Sequence, residues 1–140
     1  MLFFKNKINQ ISIFALFFIM ISSAVQANNI KNSAVIFMYH KFDISKYPST
    51  NITLSQFEQH LEEFSQPKYN VKSLDYIVDM IINDGELPNN TIGISVDDAD
   101  RSFLTTAWPR LKEKGFPVTL FVSTSTIVEN NKNYLNWDEI

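Results

Sequence analysis

No cysteine occurs anywhere in the chain. Disulfides are therefore excluded, and apolar packing, with or without a metal ion, has to hold the fold together. A basic cluster is missing as well: 12 Lys and Arg stand against 15 Asp and Glu, for a formal net charge of −3. Nucleic-acid affinity rests on neutralising phosphates, so this balance argues against a nucleic-acid partner. Internal repeats and low-complexity tracts are lacking too. The longest apolar run, Ile11 to Ile21, falls short of the roughly 20 residues that a membrane-spanning helix needs, so no stable membrane insertion is expected.

What that run does resemble is the core of an export signal. Lys5 and Lys7 precede it, and small residues at the −3 and −1 positions (Val25-Gln26-Ala27) follow it. Residues 1–27 are therefore expected to be a signal peptide cleaved after Ala27, with an uncleaved N-terminal anchor as the alternative. The destination would be the periplasm or the cell exterior. Without Lys5 and Lys7 the remainder, 28–140, carries 10 basic against 15 acidic residues and is more acidic than the whole. Its size suits one small domain. An aromatic content of 14% is that of a packed chain, not a disordered one.

Apolar patterning then sets out the elements. Ala34–Tyr39 (AVIFMY), Thr91–Val96 (TIGISV) and Pro117–Val122 (PVTLFV) are continuous apolar runs, the pattern of strands buried on both faces. A short strand is expected around Tyr69–Val71. Thr53 with Gln56 three residues on reads as a capping box, and Phe57, Leu61 and Phe64 follow at helical spacing. A second helix is predicted from Ser73, burying Leu74, Ile77, Val78 and Ile81 and stopping at Gly85. A third should span Ser102–Lys114, kinked at Pro109 and capped by Gly115. Strands alternating with helices imply an α/β fold with a parallel sheet or barrel, whose strand C-termini share one edge. The polar stretch after Ser123 closes on Leu135–Ile140, which looks like the start of a further helix. The chain is thus expected to be truncated at its C-terminus.

Chemistry concentrates in SVDDADRS, residues 95–102. Asp97 and Asp98 stand side by side at a strand end, where neighbouring side chains point to opposite faces unless the backbone turns. One carboxylate there can ligate a divalent cation while the other serves as a base toward bound water, and the cation offsets their repulsion. The plainer alternative is a set of loop acids, with Asp100 capping the helix that follows. His40 ends its own strand, so it can reach the same edge as an acid or a ligand, or play a structural part. His60 is expected on a solvated helix face. Trp108 and Trp137 read as core or pocket wall, with stacking on a sugar ring as the alternative. A glycosidase pair is disfavoured, because adjacent acids are closer than the ~5 Å or more such a pair needs.

Taken in order, AVIFMYHKF, TLSQFEQHL, ISVDDADRS, AWPRLKEKGFPVTLFVST and LNWDEI resemble the N-terminal part of the polysaccharide deacetylase family. That family is the NodB-homology group of carbohydrate esterase family 4, and the likeness lies with its exported poly-N-acetylglucosamine deacetylases. The resemblance covers about Ala34–Ile140. It implies a partial (β/α) barrel and hydrolysis of the acetamide of an N-acetylated polysaccharide with a divalent metal, zinc foremost. By the same likeness Asp97 would be the general base, Asp98 a metal ligand, and His40 the acid that protonates the leaving amine. The family's Thr-Phe-Asp-Asp-Gly reads Ser95-Val96-Asp97-Asp98-Ala99 here, and its His-x(3–5)-His metal motif does not occur in the sequence. An inactive relic, or a carbohydrate-binding module that keeps the groove, is the competing expectation.

Overall fold

The computed structural model describes residues 33–129 and 131–140. The expected signal peptide lies outside the described residues. Among them, no helix is long and apolar enough to cross a membrane.

Strand β5 (Thr91–Asp97) is the centre of the sheet. Strand β1 (Ala34–Tyr39) runs parallel along one edge of it, in register from Ala34↔Thr91 to Tyr39↔Val96. With that edge taken, the other is divided. β4 (Asn70–Val71) pairs with its start, at Thr91 and Ile92, and β6 (Thr119–Phe121) pairs with its end, at Ser95 to Asp97. Every ladder is parallel, as the alternation of strands and helices predicted. A small parallel ladder joins β2 (Lys41–Phe42) to β3 (Asn51–Ile52), just past the end of β1. The sequence pattern had not signalled it.

One face of β5 carries the core. Ile92, Ile94 and Val96 are buried against Phe57, Leu61 and Phe64 of helix α1 (Leu54–Phe64), together with Phe103, Ala107, Leu111 and Leu135. Each of these side chains larger than alanine contributes about 1.5–3 kcal/mol by leaving water. Helix α1 begins where its capping box directs: Thr53 Oγ1 accepts from Gln56 N, and Gln56 Oε1 accepts from Thr53 N. Helix α2 (Leu74–Ile82) starts from Ser73, whose Oγ accepts from Tyr76 N. It approaches the other face at Gly93, where a Cβ would stand 2.6 Å from Ile36 Cδ1 and 2.9 Å from Leu74 Cδ1. Glycine is what this close approach requires.

Several expectations need correction. Strand β1 is not buried on both faces: Val35 and Met38 are about 60% exposed, because β1 has a neighbour on one edge only among the described residues. Strand β6 is only part-covered, and Phe121 is exposed. In α2 only Ile77 is buried, while Val78 and Ile81 face solvent. That helix also ends early, at Asn83, and the left-handed residue after it is Asp84 (φ 52°) rather than Gly85.

The third helix holds as expected, with a physical twist at Pro109. Its first part widens into a π-helical turn (Phe103–Ala107) before helix α3 (Trp108–Lys114). Pro109 therefore sits in the first turn of a fresh α-helical segment, where its missing N–H costs little. Gly115 closes α3 in the left-handed conformation (φ 66°). A short helix α4 (Thr124–Val128), not foreseen in the polar tail, and a 3₁₀ turn (Trp137–Glu139) complete the described chain.

Candidate active site

The register of β1 on β5 assembles the first pair. Tyr39 lies opposite Val96, so His40 and Asp97 are the next residues along two neighbouring parallel strands. Their side chains meet there, with His40 Nε2 3.9 Å from Asp97 Oδ2, both about a quarter to a third exposed. Two groups 57 positions apart in sequence thus share the C-terminal edge of the sheet, where parallel α/β folds place their ligands.

Immediately after Asp97 the backbone reverses. Asp98 (φ 69°) and Ala99 (φ 56°) are both left-handed, which L-residues adopt at a cost of roughly 1–2 kcal/mol each. Two consecutive residues of this kind form the turn that lets neighbouring carboxylates take separate environments. Asp98 Oδ1 accepts a hydrogen bond from Ser123 Oγ at 2.9 Å, just past β6. The alanine at 99 occupies a position whose φ favours glycine, and its methyl is fully buried. Left-handed residues of this kind recur at functional sites.

Asp100 has a different task. Its Oδ1 accepts from Ser102 N (2.9 Å) and Ser102 Oγ (2.6 Å), capping the helical turn as foreseen. Its Oδ2 also pairs with Lys41 Nζ at 3.4 Å in a buried setting. Sequence reasoning passed over Lys41, and it passed over Arg101. The Arg101 guanidinium donates to the carbonyls of Lys132 and Tyr134 and forks onto both Glu139 oxygens, at 2.6 and 3.0 Å. It fastens the 131–139 segment to the turn after β5. A lone arginine amid three acids was the available signal. Glu139 is held below its ordinary carboxylate range, chiefly by the Arg101 hydrogen bond and then by the Asn136 backbone N–H.

His60 proves not to face solvent. It is half-buried between Phe37 and Phe64, and its Nδ1 lies 2.8 Å from the Tyr39 hydroxyl. Burial pushes the Tyr39 phenol well above its usual range, so it stays protonated and is placed to donate. Neither tryptophan is core: Trp108 is partly exposed against Phe103, and Trp137 is exposed.

The metal expectation meets a plain test. Asp98 and His40 are the candidate ligands, yet no three His, Cys, Asp or Glu side chains among the described residues stand close enough together to hold a metal ion. A catalytic zinc takes three protein ligands plus water. The residues present do not fit a complete zinc centre.

No family model matches the chain, and no curated protein matches it in sequence. Solved structures do. A de-N-acetylase from Aggregatibacter actinomycetemcomitans superimposes with a TM-score of 0.67 at 19% identity, covering 76% of this chain and 48% of its own. The deacetylase PplD of Streptococcus pyogenes, solved in complex with acetate, gives 0.66 at 22% identity, over 79% and 50%. IcaB from Ammonifex degensii gives 0.66 at 22% identity, over 76% and 46%. The chain spans about half the length of these structures. Likeness at such identities speaks for architecture: the parallel sheet and its flanking helices share the fold of these deacetylases.

Proposed function

We propose that the chain carries the proton-transfer groups of a carbohydrate N-deacetylase, acting on the acetamide of an N-acetylated polysaccharide. The observation that supports this most is the approach of His40 Nε2 to Asp97 Oδ2, 3.9 Å apart on the ligand-binding edge of a deacetylase-type fold. Asp97 takes a proton from water as its oxygen attacks the acetamide carbon. His40 gives a proton to the nitrogen as the C–N bond breaks. Acetate and a free amino sugar leave. A positioned acid or base of this kind is worth about 10²–10⁴ in rate.

In this reading Asp98 is the chain's carboxylate toward a divalent cation, zinc foremost, with Ser123 orienting it. Such an ion would polarise the carbonyl and acidify water. The described residues do not complete its ligand set, and the proton transfers fall to Asp97 and His40. Residues 1–27 would direct the mature chain 28–140 out of the cytoplasm, where such a polymer is met.

The incomplete ligand set favours a second reading, in which the chain binds glycan without hydrolysing it. One assay separates the two. Chitopentaose is incubated with the chain and excess zinc, and free amine and glycan binding are both measured. Amine release supports the deacetylase; binding without any amine supports the binding module and contradicts the enzyme.

A further inference from the structure

The Lys41–Asp100 pair lines a concavity. It encloses about 800 Å³, in the range of ligand sites, and is walled by β2 and the loop after it, by the start of the third helix and by residues 131–134. His40, Asp97 and Asp98 are not among its lining residues.

Its charge runs against that of the protein. Lys41, Lys46, Arg101 and Lys132 line it against only Asp43 and Asp100, in a chain of net charge −3. Arg101 is committed to Glu139 and Lys41 to Asp100. Lys46 and Lys132 have no carboxylate within ion-pair distance among the described residues, and both are exposed. Tyr47 and Tyr134 line it too: Lys41 Nζ lies 5.3 Å from the Tyr47 ring centre and 5.7 Å from that of Tyr134, and Lys46 Nζ lies 5.4 Å from that of Tyr47. Asn131 and Asn133 add amide groups that both donate and accept. The Tyr134 side of the wall is not left loose, because Arg101 grips its carbonyl and that of Lys132.

A tyrosine ring, amides for hydroxyls and two exposed lysines without a carboxylate partner among the described residues describe one class of ligand. We propose that this cavity binds a negatively charged sugar polymer. A sugar ring packs on Tyr134, and the polymer's carboxylate or phosphate substituents meet Lys46 and Lys132. The site adds to the carboxylate edge and does not depend on amide hydrolysis there.

Titration calorimetry of the whole chain tests it, with trigalacturonic acid, tri-N-acetylchitotriose and inorganic phosphate as probes. Trigalacturonate should bind. The exposed double change Lys46→Glu/Lys132→Glu should weaken it at least tenfold, raised salt should weaken it too, and Asp98→Asn should leave it unaltered. Tyr134→Ala should lower affinity several-fold while the phosphate signal stays negligible. The proposal is overturned if trigalacturonate does not bind, or if Asp98→Asn weakens it as much as the lysine changes do. Neutral chitotriose binding equally well would overturn the role of charge, and phosphate binding as tightly would reduce the cavity to a simple anion site.

Discussion

Lys41 Nζ lies 3.4 Å from Asp100 Oδ2, with the two side chains only 10% and 12% exposed, so a buried ion pair ties the start of β2 to the turn after β5. Removing one partner of such a pair leaves an uncompensated charge and costs about 3–5 kcal/mol. Asp100→Ala should fall at the upper end, because it also strips the cap from Ser102 N. The double change Lys41→Met/Asp100→Leu should be more stable than either single change. Urea unfolding of the parent, Asp100→Ala, Lys41→Met, Asp100→Leu and the double variant measures this, and single variants that unfold at the original midpoint would count against the pair.

Ala99 tests the strained turn through opposing terms. Glycine would relieve roughly 1–2 kcal/mol of left-handed strain. It would forfeit about 0.8 kcal/mol of buried methyl and about 0.4–1 kcal/mol through the more flexible unfolded chain. Ala99→Gly is therefore expected to be neutral within about 1 kcal/mol. Ala99→Val, a β-branched residue at φ 56° in a fully buried position, should be severely destabilised. A valine variant with unchanged thermal stability would show that the turn is not strained.

The Arg101–Glu139 fork makes a pH-dependent clasp. Glu139 has a depressed folded pKa, so its stabilising contribution is present above the ordinary glutamate range and is lost as pH falls through the lower folded value. Hydrogen exchange at the Leu135 amide, which donates to Ala99 O, should stay protected down to about pH 4, close to the unperturbed glutamate pKa, and accelerate below it. In Glu139→Gln that acid transition should vanish. Loosening that begins near pH 6, or that persists unchanged in the glutamine variant, would contradict the clasp.

How far the sequence foretold all this depended on whether the deciding interaction was local. The capping box at Thr53, the Phe57/Leu61/Phe64 stripe and the Gly115 cap rest on contacts within a few residues, and each stands as read. The strand burial of Ala34–Tyr39 did not, because an apolar run cannot reveal whether a second neighbour covers it. His60 was misjudged for a related reason: the rings that enclose it come from β1, more than twenty positions away, as well as from its own helix. Arg101 and Lys41 were missed because their partners lie tens of positions distant. Asp97, Asp98 and His40 were legible as a group only through the inference that parallel strands end at one edge, and the register of β1 on β5 gives His40 and Asp97 their proximity.

The central claim is that Asp97 and His40 serve as base and acid in one deacetylation, and the most direct measurement is the rate of amine release from chitopentaose by the chain and its Asp97→Asn and His40→Ala variants. The account predicts a fall of about 10²–10⁴ in each variant, with glycan affinity preserved. An Asp97→Asn protein that releases amine at the unaltered rate would contradict it.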